Sequence, residues 1–451
     1  MRFFADREYY ARLFHYALPI AIQALVINSL AMVSVVMVGQ LGETSVAAVA
    51  LANQIFFLLN LVLFGVTTGS AMFTAQLWGR RDLPNIHKVL GLCLTLALVI
   101  GLAFLLIAEL APRWALGVYS RDPAVLALGV PYLRLFGWSF LFTALTSSYS
   151  VILRSVGNVR LPLYVSLASL SLNTVLSYGL IFGALGLPRL GIQGAAWATL
   201  TARVLEALAL IWLSYRLKTA AAARLGELFR WDRSYVVRVL RPVLPVALNE
   251  LLWSFGISAY SVVYARIGTE SLAATNIAGT INDVALVLFL GIAHACAIMV
   301  GHAIGAGDPE EAQRIAGRSV AIGALGAMAM GGLILLASPS VLVLYKVAPI
   351  VIEYTRRVLL VVAGLLWLRV SNMILFIGVL RAGGDTRYGL VLDGIIIWIV
   401  GVPLAFAGGF LLHLPVYWVY LLVMSEEAAK CVLAVGRYFS RKWIHDLAQT
   451  V

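Results

Sequence analysis

Long apolar runs separated by short polar breaks extend along almost the whole chain of 451 residues. Residues 89–110, 243–265 and 320–344 are examples. Each run is about 20 residues long, which is enough to cross a hydrocarbon core of roughly 30 Å as a helix. A transmembrane barrel would instead show alternating segments of about 10 residues, and the chain has none. The pattern predicts an all-α integral membrane protein.

Polar breaks divide the apolar runs into twelve predicted transmembrane helices. Their approximate bounds are 14–38, 50–76, 89–110, 128–152, 161–183, 193–215, 243–265, 275–302, 314–338, 351–379, 388–411 and 416–437. The composition agrees, because 62% of the residues are hydrophobic and only 12% are charged. An average soluble domain carries about 25% charged residues, so too little polar surface remains here to cover a soluble globule.

Basic residues orient the predicted helices. Most lie on one side of the topology, and by the positive-inside rule this side is cytoplasmic. They are Arg2, Arg7, Arg12, Arg80, Arg81, Lys88, Arg154, Arg160, the basic residues between 216 and 241, Arg437, Arg441 and Lys442. We therefore expect a multi-pass protein of the cell membrane, inner or plasma, with both termini cytoplasmic. The formal net charge of +12 is a topology signal and does not predict nucleic-acid binding.

The second half of the chain repeats the first. Pro19 matches Pro245 at a shift of 226 residues, and the same shift relates Gly42 to Gly268, as well as Gly65/Gly291, Gly79/Gly305, Asp82/Asp308 and Tyr119/Tyr345. After one inserted residue, LRSVGNVR at 153–160 matches LRAGGDTR at 380–387. Six helices per half give two parallel, pseudo-symmetric lobes, and two such lobes around a central cleft are typical of transporters.

The predicted organisation follows from this repeat. Residues 14–215 form an N-lobe and residues 243–437 a C-lobe. Cytoplasmic segments precede, join and follow them at 1–13, 216–242 and 438–451.

Four segments carry a resemblance to a known family. They are LPIAIQALVINSLAMVSVVMVGQLG at 18–42, LRSVGNVRLPLY from 153, GLPRLGIQGAAWAT at 186–199 and LRAGGDTRYGLVLDGIIIWIVGVPLAF at 380–406. In this order, and with the repeat, the chain resembles the multidrug and toxic compound extrusion (MATE) family over nearly its whole length. The resemblance implies two six-helix lobes and a drug or metabolite antiporter driven by H⁺ or Na⁺.

This chain departs from the family pattern in the first lobe. Many members have an aspartate in the first span where this chain has Ser34. The fifth-span pattern pairs an asparagine with an aspartate four residues later, and here Asn173 is followed by Ser177. Serine offers neither a titratable proton in the relevant range nor a negative charge. We therefore expect the C-lobe alone to hold the coupling ion.

Carboxylates inside apolar spans are the candidate coupling residues, because each costs roughly 2.5–3.5 kcal/mol on insertion scales. Glu250, Asp283 and Asp393 are the candidates, and the repeat mates of Glu250 and Asp283 are Ala24 and Phe57. They could exchange protons or, with amide oxygens, hold Na⁺. The alternative for each is a satisfied hydrogen bond or a place near the headgroups.

Two further groups complete the prediction. Opposite charges at i, i+3 predict structural pairs on one helix face, Arg203 with Glu206 and Glu427 with Lys430. Polar and aromatic residues in the spans expected to line the cleft are candidate substrate contacts: Asn28, Ser34, Asn173, Ser177, Trp253, Tyr260, Asn282 and Arg369. Met32 and Met37 would suit varied organic cations, although core or lipid contact is the alternative for any of these residues.

The sequence thus predicts a secondary active antiporter that exports organic, cationic or amphipathic compounds in exchange for H⁺ or Na⁺ by alternating access. A flippase for a lipid-linked precursor is the alternative. An intramembrane enzyme is less favoured, since the chain has no HExxH, GxSxG or P-loop motif. We expect no cofactor and no metal site, and a monomer whose partners are small-molecule substrates and membrane lipid.

Overall fold

The structure is a computed structural model that describes residues 6–450, apart from the side chains at positions 28 and 31. Nearly all of this part of the chain is helical. The long helices are α1 (Arg7–Gly39), α2 (Glu43–Gly79), α3 (Leu83–Leu110), α4 (Pro123–Gly137 and Ser139–Ser155, bent by 42°), α5 (Arg160–Phe182), α6 (Ile192–Arg216), α7 (Arg233–Ile267), α8 (Thr269–Gly305), α9 (Pro309–Leu342), α10 (Pro349–Arg381), α11 (Thr386–Leu411) and α12 (Val416–Phe439).

The all-α membrane fold is confirmed, and each of the twelve predicted helices matches one of these helices, with bounds that agree to within a few residues. Ten of the described helices are long and apolar enough to cross a membrane, and α4 makes eleven if its bent pair is one span. The twelfth, α12, is a long helix but carries Glu426, Glu427 and Lys430 near its middle.

Corresponding aspartates start α3 and α9. Asp82 Oδ1 accepts a hydrogen bond from the backbone N–H of Asn85 at 3.2 Å, and Asp308 Oδ1 accepts one from that of Glu311 at 2.8 Å. These are N-caps, which satisfy donors that the first helical turn leaves free. The turn before each aspartate has a left-handed residue, Arg81 (φ 61°) in one half and Gly307 (φ 79°) in the other.

Contacts within the chain form two compact units. The first-half unit comprises Ile22–Leu240, and the second-half unit comprises Arg241–Thr450 together with the described part of α1 up to Ala21. Leu59, Phe136 and Phe140 are central to the apolar core of the first-half unit. Phe289 and Leu375 lie in the core of the second-half unit.

The start of α1 packs with the second-half unit, which differs from the lobe bounds that the repeat suggests. Asp6 Oδ2 accepts from Arg318 Nη1 at 2.6 Å, and Tyr9 Oη lies 2.8 Å from Ser319 Oγ. Tyr9 is fully buried, so these contacts tie the first turns of α1 to α9.

Two helices of the second-half unit contain wide π-helical turns. They span Ile374–Arg381 at the end of α10, and Leu390–Ile395, Ile397–Gly401 and Ala407–Leu411 in α11. Such turns are rare and occur often at functional sites, because the extra residue re-aims the neighbouring side chains.

Candidate functional site

Glu250 of α7 forms an ion pair with Arg381, the last residue of α10. Arg381 Nη2 donates to Glu250 Oε1 at 2.7 Å, and both side chains are largely buried. A carboxylate inside a span is expensive unless it is paired, so Arg381 explains how the helix tolerates Glu250.

Asp393, in a π-helical turn of α11, lies in a second set of polar contacts. The amide of Asn249, the residue before Glu250, donates to Asp393 Oδ2 at 2.9 Å. Lys430 Nζ of α12 lies 3.2 Å from Asp393 Oδ1. Helices α7, α11 and α12 thus each bring one polar residue to the same point.

The ammonium group of Lys430 also contacts a second carboxylate. Its Nζ lies 3.3 Å from Glu426 Oε1, and Tyr260 Oη donates to Glu426 Oε2 at 2.5 Å. Lys430 is 1% exposed and Glu426 is 3% exposed. A Cβ at Gly401 of α11 would overlap both Tyr260 Oη and Glu426 Oε2, so a glycine is needed for this hydrogen bond.

A small cavity of about 20 Å³ joins the two sets of contacts. A site of this size accommodates one water molecule. Asn249 Oδ1 is buried and has no hydrogen-bond partner among the described residues. The cavity is lined by Val246, Asn249, Phe376, Arg381, Thr386, Gly389, Leu390 and Asp393.

The predicted pair of Glu427 with Lys430 needs a correction. Lys430 makes its ion pairs with Glu426, one helical turn away at i, i−4, and with Asp393. Glu427 Oε2 instead accepts from Asn372 Nδ2 at 2.6 Å. The i, i+3 spacing identified the correct face of α12 but not the partners.

Arg369 of α10 connects the remaining acidic residues. Its guanidinium group interacts electrostatically with Asp283, Glu426 and Glu427. Asp283 also accepts a hydrogen bond from its neighbour Asn282 at 3.3 Å. The polar network of the second-half unit thus contains five carboxylates and three cationic side chains: Glu250, Asp283, Asp393, Glu426 and Glu427 against Arg369, Arg381 and Lys430.

The first-half unit contains a related polar network around Glu206. Gln23 Nε2 of α1 donates to Ser166 Oγ of α5 at 2.9 Å, and Ser166 Oγ donates to Glu206 Oε1 of α6 at 3.1 Å. Arg203 Nη1 lies 2.7 Å from Glu206 Oε2, as the i, i+3 spacing predicted. Ser169 lies 3.2 Å from the same oxygen. Glu206 is therefore a buried, fully satisfied carboxylate.

An apolar pocket opens between α1 and α5 of the first-half unit. It is a largely open cleft of about 640 Å³, a volume typical of sites for drug-sized molecules. Thioether and aromatic groups dominate its wall, and none of its lining residues is charged. They are Met32, Val33, Val36, Met37, Gln40, Tyr178 and Phe182.

The other predicted contacts of the first half lie outside this pocket's lining. Ser34 Oγ donates to the carbonyl of Leu30 at 3.1 Å, within its own helix. Ser177 Oγ donates to Asn173 Oδ1 at 3.2 Å. The side chain of Asn28 is outside the described residues. In the second half, Trp253 is half-buried against the apolar core.

Sequence reasoning missed three members of the second-half network: Arg381, Asn249 and Glu426. In the sequence, Arg381 stands out only as part of the repeated motif LRAGGDTR. Arg154 occupies the same position in the first-half motif LRSVGNVR. The repeat therefore draws attention to Arg381 but does not show that it binds Glu250. For Glu426 the sequence holds one signal, its spacing of four residues from Lys430, which favours an ion pair.

Comparison with known proteins identifies the family. The family model described as MatE matches residues 19–179 and 245–407, well over half of the chain and one segment in each half. The chain belongs to the MATE family. The family predicted from the sequence motifs is thereby confirmed.

Relatives of this MATE protein are named as drug-resistance proteins. It is 30% identical over 384 residues to the probable multidrug resistance protein NorM of Agrobacterium fabrum, covering 83% of this chain and 82% of that protein. It is 25% identical over 394 residues to multidrug resistance protein PmpM of Pseudomonas aeruginosa, covering 87% and 82%. This MATE protein is thus a multi-pass membrane transporter of the multidrug efflux class, and it is not an enzyme.

Solved structures share the fold. The outward-facing conformation of a multidrug resistance MATE family transporter of the MOP superfamily superimposes with a TM-score of 0.86 at 21% identity. The match covers 96% of each chain. At this identity the likeness establishes the architecture alone.

Proposed function

We propose that this transporter exports aromatic or lipophilic organic cations in exchange for protons, by alternating access, and that the second-half unit holds the exchanged proton. Lys430 carries the proposal. Its single ammonium group contacts two carboxylates, Asp393 at 3.2 Å and Glu426 at 3.3 Å. This trio has one negative charge in excess, and uptake of one proton makes it neutral.

Excess negative charge in a low-dielectric region attracts a cation, because an uncompensated buried carboxylate is costly. Two features favour H⁺ over Na⁺. First, Arg381 and Lys430 already bind the oxygens of Glu250 and Asp393 that a hard cation would need. Second, the hydroxyl of Tyr260 and the amide of Asn249 continue the hydrogen-bonded chain on both sides of the trio.

The substrate class follows from the apolar pocket of the first-half unit. Aromatic faces and polarisable thioethers attract organic cations without a fixed charge. The pocket supplies both, from Tyr178, Phe182, Met32 and Met37. A lipid-linked precursor with an anionic pyrophosphate would need Arg or Lys, and neither lines this pocket. Drug efflux is therefore preferred over the flippase function.

The location proposed for the transporter is the cell membrane, with both termini in the cytoplasm. The basic residues of the loops and the positive-inside rule support this orientation.

Transport in proteoliposomes tests the coupling ion. Efflux of a fluorescent aromatic cation is measured under an imposed pH gradient without a Na⁺ gradient, and then under the reverse condition. We expect the pH gradient alone to drive efflux in the wild type. Flux driven by Na⁺ alone would contradict the proposal, and translocation of a fluorescent lipid-linked precursor instead of the dye would favour the flippase.

Paired substitutions locate the proton. Glu426→Gln removes the excess charge and should lower pH-driven efflux by at least about tenfold. Glu206→Gln, a buried carboxylate of the first-half unit, is the matched control and should retain coupling. Equal pH-driven efflux in Glu426→Gln and in the wild type would reject the assignment.

A further inference from the structure

The last segment of the described chain packs against a loop that follows Arg381, the ion-pair partner of Glu250. After α12, residues 440–450 turn back and cover the loop 382–385 that joins α10 to α11. We name this segment the C-terminal strap. The backbone N–H of His445 donates to the carbonyl of Gly383 at 2.8 Å, and Gly384 pairs with Ile444 in an antiparallel bridge. The indole of Trp443 is fully buried.

The loop has the residues that this contact requires. A Cβ at Gly383 would overlap the ring and the carbonyl of Trp443, so only glycine fits there. Its repeat mate in the first half, at a shift of 227 residues, is Val156. Gly384 and its mate Gly157 both have positive φ values of 83° and 88°, so both turns need that glycine. Gly383 is the glycine that the first-half turn lacks, and its contact with Trp443 of the strap explains why the second half needs it.

A charged group fastens the strap at the loop's end. Asp385 Oδ2 accepts from Arg437 Nε at 2.6 Å, and His445 Nε2 lies 3.9 Å from Asp385 Oδ1. Burial raises the pKa of Asp385, but hydrogen bonds from His445 and Arg437 outweigh it and hold that pKa below its usual range. Asp385 is therefore ionised at neutral pH, and it interacts both with Arg437 of α12 and with His445 of the strap.

The fastened loop lies between the Glu250–Arg381 ion pair and the residues that follow it in the cavity beside Asp393. Arg381, the partner of Glu250, immediately precedes the loop, and Thr386 immediately follows it. Arg381, Thr386 and Asp393 line the same small cavity. A shift of the loop therefore changes the position of the Arg381 guanidinium group relative to the carboxylates of Glu250 and Asp393.

We propose that the C-terminal strap is a positioning element of the coupling site, with Trp443 as its key residue: it holds the loop so that Arg381 stays against Glu250. This inference rests on the proposed proton coupling. Trp443 touches neither substrate nor the proton site, and it acts through Gly383 and Arg381. The strap would thus set the pH at which the transporter takes up and releases its proton.

Full-length variants in proteoliposomes test this role. Trp443→Ala should lower the maximal rate of pH-driven efflux about tenfold and shift the pH of half-maximal rate, with little change in KM for the dye. Trp443→Phe, which keeps an aromatic ring against Gly383, should retain most of the maximal rate and most of the wild-type pH profile. Arg441→Ala is the matched control, since it removes the exposed pair of Arg441 with Glu310 in the same strap and should leave rate and pH profile unchanged.

A double variant separates positioning from general stability. If Trp443 acts through Arg381, adding Trp443→Ala to Arg381→Ala should produce no further pH shift, because coupled residues are not additive. Should Trp443→Ala fail to fold, Leu447→Ala, which removes side-chain atoms that lie close to Gly384, takes its place.

The outcomes separate the two proposals. A wild-type pH profile in correctly folded Trp443→Ala or Leu447→Ala would overturn the role of the strap while leaving proton coupling intact. An additive pH shift in the double variant would overturn it as well. Wild-type efflux driven by Na⁺ alone would overturn the proposed function itself.

Discussion

Each half of the chain builds a polar network from three corresponding helices, α1, α5 and α6 in the first half and α7, α11 and α12 in the second. The two networks differ in charge. In the first half, Gln23 binds Ser166 and Ser166 binds Glu206. In the second, Asn249 binds Asp393 and Asp393 binds Lys430. The repeat relates Gln23 to Asn249 and Ser166 to Asp393. Glu206 and Lys430 correspond as well, each 14 residues after the start of its helix at Ile192 or Val416.

Charge balance distinguishes the networks. In the first half, one acid, Glu206, is neutralised by one base, Arg203. In the second half, one base, Lys430, faces two acids, Asp393 and Glu426. A balanced buried network leaves no carboxylate without a base, whereas an unbalanced one favours the uptake of a cation. This difference is the reason that the proposed proton exchange is assigned to the second half.

The largest effect should follow from removing the cation of the second network. Lys430→Met removes the ammonium group that contacts both Asp393 and Glu426, and breaking such a network costs about 3–5 kcal/mol. We expect a large drop in thermal stability in detergent and loss of transport.

Arg203→Met is the counterpart in the first half. Its loss leaves only one carboxylate, Glu206, without a base, and Ser166 and Ser169 still donate to that carboxylate, so it should cost less. Equal losses would contradict the comparison.

A smaller effect on folding, but a large one on transport, is expected at Glu250. Its repeat mate is Ala24, so the first half has no equivalent acid. Glu250→Gln keeps an acceptor for Arg381 and should preserve the fold while pH-driven efflux falls at least about tenfold. Glu353→Gln, at an exposed ion pair on α10, is the control. Unchanged pH-driven efflux in Glu250→Gln would remove Glu250 from the coupling site.

Ser166 tests whether the first network is structural. Ser166→Ala removes the hydroxyl that joins Gln23 to Glu206 and leaves both short of a partner, at a cost of about 1–3 kcal/mol. Thermal unfolding in detergent should show this loss, while the ion dependence of efflux should stay that of the wild type. A changed pH profile would show that the first network also takes part in coupling.

The pocket of the first-half unit predicts a separate effect on substrate. Tyr178→Leu removes an aromatic face, and a cation–π contact is worth about 0.5–2 kcal/mol, so KM for an aromatic cation should rise about three- to thirtyfold. Tyr164→Leu, at an exposed tyrosine of the same helix, should leave KM unchanged. A KM effect of equal size at Tyr164 would exclude this pocket as the substrate site.

The smallest effect concerns the turns before α3 and α9. Gly307 adopts its left-handed conformation without strain, whereas Arg81 pays roughly 1–2 kcal/mol for the same conformation. Arg81→Gly should therefore raise the free energy of unfolding by about 0.5–1 kcal/mol, after allowance for the backbone freedom of glycine. Thermal unfolding measures this, and a destabilised variant would mean that the Arg81 side chain makes a compensating contact.

The sequence was sufficient for the fold because apolar length and an internal repeat are local, countable signals. It was also sufficient to single out Glu250 and Asp393, since acids inside spans stand out. Their partners could not be predicted. Arg381 is 131 residues from Glu250, and Lys430 is 37 residues from Asp393. Only the packing of the helices brings them together, and one sequence carries no distance information.

The same limit applies to the charge pairs. Spacing along one helix identified Arg203 with Glu206, but it could not show that Ser166 of another helix binds the same carboxylate. For Lys430 the nearest acid by spacing was the wrong one, because side-chain direction and the neighbouring helix decided between Glu426 and Glu427.

A change of one residue in the register of the repeat coincides with a wide helical turn. The register of the repeat changes between Tyr345 and Leu380, and this interval contains most of the π-helical turn Ile374–Arg381. A wide turn absorbs an insertion without breaking the helix. Deleting one residue from this turn would give α10 the spacing of the first half and rotate Arg381 by about 100° around the helix axis, away from Glu250.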